Sequence, residues 1–271
     1  LRPVSFDGKC FPPFFYTKKK VFYNKINNFI SQFLSLCVEY FYVFVRLIDM
    51  RNLYHFWLQP FSRKVRIVLA EKNLPFTLIL EKTWERRTEF LAMNPAGDVP
   101  VLIEEDGTTL SNSQVVCEYL DEVYPDVDLL GADPIQRAET RRLSNWFDRK
   151  FNREVTDNLV EERVMKAFLK LGEPHGPSLR AGRANIHYHL DYIGFLTERR
   201  RWLAGEDFSV ADITAAAHLS CVDYMGDVPW EEHRAARKWY ESVIQRPSFE
   251  PILEERVPGF EPIVQYEKTG T

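Results

Sequence analysis

Apolar residues follow two different rhythms along this chain, and the change falls near residue 131. Asn52–Leu58 is dense in aliphatic and aromatic side chains, which predicts a strand. Ser62–Lys72 repeats apolar residues at Val65, Val68 and Leu69, one face of a helix. Phe76–Glu81 reads as a second strand and Arg86–Ala92 as a short helix. Val101–Glu104 and Thr108–Leu110 flank a Glu-Asp-Gly turn, a hairpin signal. "SNSQVVCEYLDEVYP" opens on capping residues and closes on Pro125, a bounded helix. The order is β-α-β-α-β-β-α.

Beyond Gly131–Pro134 the pattern is helical to about Gln245. Ile135–Lys150 is amphipathic around Leu143, Trp146 and Phe147, and further helices are expected over Val155–Leu169, Ser178–Thr197, Ser209–Tyr224 and Trp230–Gln245. "PHGPS" separates the second of these from the third. A small α/β unit followed by an all-α unit predicts two domains, 50–130 and 131–246. A tail over 247–271 carries Pro251, Pro258 and Pro262 and is expected to run extended over the surface.

Composition sets residues 1–49 apart. They hold nine of the twenty Phe and no Ala, and Met50 stands directly after them. They read as an over-extended start or a non-native leader. The alternative is a membrane anchor over Phe29–Val45, an apolar run interrupted by Gln32 and Glu39. The leader carries a balance of +4 and the remaining chain −8. An acidic body argues against general nucleic-acid binding, which needs basic surface to neutralise phosphates. Cys117 and Cys221, the cysteines beyond the leader, form no CxxC and no disulfide framework, and no metal is expected. His187, His189 and His218 do not form a ligand set. These features fit a cytoplasmic protein.

Three motifs narrow the reading. "NPAGDVPVL" (94–102) places Val99–Pro100 just before a strand, after a Gly-containing loop. "LAGEDFSVADI" (203–213) holds a capping box, Ser209 with Asp212. "SRKVRIVLAEKNLPF" (62–76) follows a Gln-Pro-Phe turn. In this order, with "LSNSQVVCEYLDE", they resemble the cytosolic glutathione transferase family from about Asn52 to Gln245. The resemblance implies an N-terminal thioredoxin-like domain with a cis Val99–Pro100 bond, a C-terminal helical bundle domain, and a homodimer.

The family's chemical positions are altered. The nucleophile-activating position at the first turn falls on Gln59, whose amide cannot ionise. Ser62, three residues on, is the remaining catalytic candidate, and also a candidate helix cap. The resemblance assigns glutathione contacts to Val99, Pro100, Asn112 and Ser113. Asn112 stands where an acidic residue is common, so a charge-assisted contact to an ammonium is lost. Ser113 opens a helix whose N–H groups suit a carboxylate.

"LYHFWLQPFSRKVRIVLAEK", "TWERRTEFLAMNPAGDVPVL" and "RPSFEPILEERVPG" resemble more closely the glutathione-transferase-like division proteins that bind filaments of the tubulin homologue FtsZ. That likeness implies a dimeric, non-catalytic factor at the division site that takes no cofactor and inserts into no membrane. Trp84, Arg86, Arg87 and Arg256 are then the partner-binding candidates, since Trp and Arg dominate interface hot spots. The competing expectation is an enzyme, a glutathione-dependent transferase, isomerase or reductase. In it Ser62 faces the thiolate and Arg63 supplies positive charge.

Overall fold

The computed structural model describes residues 50–263, so the expectations for residues 1–49 and for the last eight residues lie outside it. β1 (Arg51–His55) is central in a four-stranded sheet of order β2-β1-β3-β4. It runs parallel to β2 (Phe76–Leu80) and antiparallel to β3 (Val101–Ile103), which pairs antiparallel with β4 (Thr109–Ser111). Leu53 pairs with Leu78 on one side and Leu102 on the other. α1 (Pro60–Glu71), α2 (Thr88–Met93) and α3 (Ser113–Val123) complete the β-α-β-α-β-β-α order. The Val99–Pro100 peptide is cis. This is the thioredoxin-like half of the fold that the sequence implies.

The helical half departs from expectation at its first element. Two helices separated near residue 152 are expected, but the chain runs helically from Pro134 to Leu169. α4 (Pro134–Asn145) passes into a wider π-helical stretch (Trp146–Glu161) and then into α5 (Glu162–Leu169). No Gly or Pro follows Pro134 to interrupt it. Leu143, Phe147, Phe151, Val155 and Leu159 are all fully buried, and they recur every fourth residue. An ordinary α-helix would swing such a row round by about 40° at each step. A wider turn with i→i+5 bonding reduces that swing and keeps the row on one line.

α6 (Gly176–Thr197) packs along this stretch, and α7 (Val210–Tyr224) is buried on every side. α7 tolerates this because it is built from small and apolar residues such as Ala211, Ala215, Ala216 and Ala217. The predicted capping box is present, with Asp212 accepting from Ser209 N at 3.2 Å and Ser209 Oγ accepting from Ala211 N at 3.3 Å. α8 (Arg234–Ile244) closes the bundle.

The tail also departs from expectation. Residues 247–253 form a short turn and α9 (Glu250–Leu253), and Phe249, Ile252, Leu253 and Val257 join the main core. Their spacing presents one apolar face, and a buried charge holds it down. Glu255 is 7% exposed and bridges Arg63 and Arg66 of α1, which are 0% and 6% exposed at the side chain. Tyr224 of α7 adds two bonds, its hydroxyl donating to Phe260 O at 2.7 Å and accepting from Val257 N at 3.1 Å. Residues 247–260 are thus a docked strap and not a surface extension.

Candidate functional site

A cleft of about 530 Å³ opens where α1, the Val99–Pro100 corner, the start of α3 and the outer face of α4 meet. Gln59, Phe61, Val99, Pro100, Asn112, Ser113, Arg141 and Arg149 line it. The structure therefore brings together four of the sequence candidates, Val99, Pro100, Asn112 and Ser113, with Gln59. Ser62 is not among the lining residues.

Gln59 is the residue before α1, in extended conformation, and its Oε1 accepts from Phe61 N at 2.8 Å and Ser62 N at 3.4 Å. The cap of α1 is therefore Gln59, not Ser62, a correction to the sequence reading. The Ser62 side chain is turned into the core instead. It is 0% exposed, and its Oγ has no hydrogen-bond partner. A hydroxyl so placed does not reach a molecule in the cleft.

α3 is closed in a similar way. Asn112 precedes it with φ +74°, a left-handed conformation that Asn tolerates better than most residues. Its Oδ1 accepts from Gln114 N at 3.0 Å and Val115 N at 3.3 Å. Two of the N–H groups at this helix start, those of Gln114 and Val115, are thus taken by the chain's own amide.

The floor of the cleft is a network of paired charges. Lys64, 0% exposed at the side chain, donates to Asp148 Oδ2 at 2.7 Å and to Gln114 Oε1 at 2.9 Å. Burial pushes Asp148 up, but Lys64 and His218 outweigh it and hold the carboxyl below its ordinary range. Burial pushes the His218 imidazole below its ordinary range, against the pull of Asp148. Arg141 grips Glu118 with two bonds of 3.0 and 3.1 Å, and this hydrogen bonding holds Glu118 below the usual carboxylate range. Lys64, Asp148, Glu118 and Arg141 escape sequence reasoning because their partners lie far apart in the chain. The one local hint is the run of charge in "SRKVR" on a helix that must pack on a sheet. Among the described residues no group of His, Cys, Asp or Glu is placed to hold a metal ion. Cys117, pushed up to about 12 by burial, is inert.

Beside the cleft lies an aromatic seam. Phe56, Phe90, Val99 and Val101 form a buried cluster against which Trp57, Trp84, Met165 and Phe168 pack. Trp84 is half-buried there, edge-on to Phe56 at 5.1 Å, so much of its ring is committed to packing. Arg86 is exposed in left-handed conformation at the end of the Thr83–Glu85 turn. Arg87 is exposed and bound to the buried Glu81. Arg256 is exposed on the strap, donating to Leu253 O and Glu255 O.

The glutathione S-transferase N-terminal domain model matches residues 60–123, and the C-terminal domain model matches residues 183–247. Glutathione S-transferase 2 of Saccharomyces cerevisiae is 31% identical over 73% of this chain and 87% of its own length. The chain belongs to the glutathione S-transferase family. Within that family, FtsZ-localized protein A of Caulobacter vibrioides is 45% identical over 80% of this chain and 96% of its own length. A crystal structure of a glutathione S-transferase from Rhodospirillum rubrum F11 superposes with a TM-score of 0.80 at 54% identity, covering 82% of this chain and all of the other. The chain keeps the cleft's shape while its own amides cap both helices that face it. No helix among the described residues is long and apolar enough to cross a membrane.

Proposed function

We propose that this chain is a non-catalytic glutathione-transferase-fold protein that acts as a cytoplasmic homodimer and binds FtsZ filaments at the division site. The observation that carries the reading is the pair of amide caps. Gln59 and Asn112 cover the two helix starts where a thiolate and a carboxylate would be stabilised, while Ser62 is buried. Similarity along nearly the whole length of FtsZ-localized protein A supports the partner. Trp84, Arg86, Arg87 and Arg256 remain the partner-binding candidates, with the arginines contributing more exposed surface than the tryptophan.

Two complementary faces support the dimer. α3 turns Val115, 52% exposed, and Val123, 48% exposed, outward beside the exposed Glu122. Across the π-helical stretch and α6, Trp146, Tyr188 and Tyr192 form an aromatic face, with Lys150 Nζ 5.6 Å over Trp146 and 5.5 Å over Tyr188. An acidic, apolar face on one copy suits a basic, aromatic face on another, and a two-fold axis makes the contact twice.

The test is co-sedimentation with FtsZ polymers beside a glutathione titration and an aryl-halide transfer assay. Filament binding without turnover is expected, with binding weakened by Arg86→Glu together with Arg256→Glu. The second reading, a glutathione-dependent transferase, is favoured by the intact cleft and the cis Val99–Pro100 corner. Turnover in the wild-type protein would make it the better one.

A further inference from the structure

A second hollow, of about 400 Å³, lies where the linker between the two halves, the loop before α7 and α4 meet. It shares no lining residue with the cleft. Its charge is one-sided. Glu71 and Arg246 neutralise each other through two bonds of 2.7 Å, and the Arg246 guanidinium stacks over the Phe208 ring at 3.9 Å. Asp128, Glu206 and Asp207 then remain on the lining, three exposed carboxylates with no further basic side chain beside them. Asp128 is fixed by Leu130 N and Gly131 N, which donate to its Oδ1 at 3.0 and 2.7 Å. Among the described residues the side chains of Glu206 and Asp207 have no hydrogen-bond or ion-pair partner. Thr140 of α4 also lines the hollow and is 2% exposed. Its hydroxyl has no partner among the described residues, not even the carbonyl one turn back that a helical threonine often takes. A buried hydroxyl left open calls for a partner from the space it lines.

We propose that this hollow binds a linear polyamine, an alkyl chain that carries two or more ammonium groups. The carboxylates set the sign of the ligand, since each makes a charge-assisted bond with an ammonium and repels an anion. Their spread sets its shape. Among the described residues no carboxylates converge as a metal ion requires, so the charge that meets them is distributed along a chain. Leu130, Ala204 and Phe208 supply apolar lining between the charges, against which methylene groups pack. Thr140 Oγ1 accepts from an ammonium, which has three donors and no acceptor. A lysine side chain of a protein partner carries the same group but a single charge, and three carboxylates favour the ligand with more.

The test is a calorimetric titration of the full chain with putrescine at fixed ionic strength, beside n-butylamine, which has the same stem and one charge. One putrescine per chain is expected, bound about tenfold or more tighter than n-butylamine. Glu206→Gln with Asp207→Asn is expected to weaken putrescine about tenfold or more, and Thr140→Val by about threefold or more. Both carboxylates are exposed, so the double variant is expected to unfold in urea as wild type does. Absence of saturable putrescine binding overturns the proposal. So does binding that the double substitution leaves intact, which would place the amine elsewhere on the acidic surface. Equal affinity for n-butylamine overturns the polyamine class, and displacement by magnesium chloride at equal concentration overturns it as general charge screening. The titration needs neither FtsZ nor glutathione, so its outcome is independent of how the cleft is read.

Discussion

The cleft and the seam adjoin, and they are closed by opposite means. In the cleft, polar groups meet polar groups. Gln59 and Asn112 cap helices, Lys64 neutralises Asp148, and Arg141 neutralises Glu118, so the volume persists while its bonding capacity is used internally. In the seam, volume itself is consumed, as Phe56, Trp57, Trp84 and Phe168 pack ring on ring. The two regions are therefore closed along independent axes, one electrostatic and one steric. Restoring donors in the cleft would leave the seam full, and emptying the seam would leave the helix starts capped.

The strap ties α1 to the seam, and breaking it has the largest expected effect. Glu255 is the carboxylate between Arg63 and Arg66 of α1, and five residues later Phe260 packs on Phe168 of the seam. Glu255→Gln leaves two buried guanidinium groups without their counter-charge, and one partner removed from such a cluster costs about 3–5 kcal/mol. Burial pushes Glu255 up, but the two arginines hold it at about 2, against an ordinary 4.5. A lowered acid stabilises the fold above the unfolded value, and that contribution drains as pH falls toward 2. Urea unfolding should therefore show the full gap between wild type and variant at pH 7, narrowing only below about pH 4.5. A gap unchanged from pH 7 to pH 2.5 would assign the loss to packing and not to charge.

A smaller effect of opposite sign is expected on the helix that fills the seam. Glu161, one turn before Val164 and two before Phe168, is pushed up to about 7 by burial and by the Asp157 carboxylate. A raised acid contributes stability below its unfolded value of 4.5 and loses it as pH climbs through 7. Glu161→Gln should thus be more stable than wild type at pH 8, by roughly 1–3 kcal/mol. The two should converge below about pH 4.5. Equal unfolding midpoints at pH 8 would place Glu161 in solvent and separate it from the packed seam.

Much of this was legible in the chain. The strand β1, the bounded helix α3 and the Ser209–Asp212 box rest on local rules, while the cis Val99–Pro100 corner was implied by the family resemblance, and each is present in the structure. The substitution of chemistry at Gln59 and Asn112 was visible, but its geometry was not. A glutamine cap is unusual, and short side chains lead the capping preferences, so Ser62 drew the assignment that Gln59 fills. The strap was hidden for a different reason. Three prolines argue for an extended run, whereas Glu255 reaches a pair of arginines nearly two hundred residues away in sequence. Long-range ion pairing leaves no period for a sequence to display. The seam was hidden likewise, because Trp84 reads as a surface anchor and Phe168 draws no notice until α5 brings the two together.

The smallest effects test whether the cleft is capped as described. Asn112→Ala removes an acceptor from two α3 N–H groups, a loss of about 0.5–2 kcal/mol. It also leaves a residue with no local side-chain bond in left-handed backbone, which adds roughly 1 kcal/mol. Ser62→Ala removes a buried hydroxyl that has no partner, so it should move stability by no more than about 0.5 kcal/mol, and toward greater stability if at all. Paired urea curves make the contrast, one variant clearly displaced and the other superimposed on wild type. The same Ser62→Ala substitution should leave both the FtsZ co-sedimentation and the glutathione titration unchanged from wild type. If the serine were a hidden nucleophile partner, its loss would instead abolish transfer while the curves still overlaid. That single outcome would move the catalytic position back from Gln59 to Ser62 and would mean that the core opens around it.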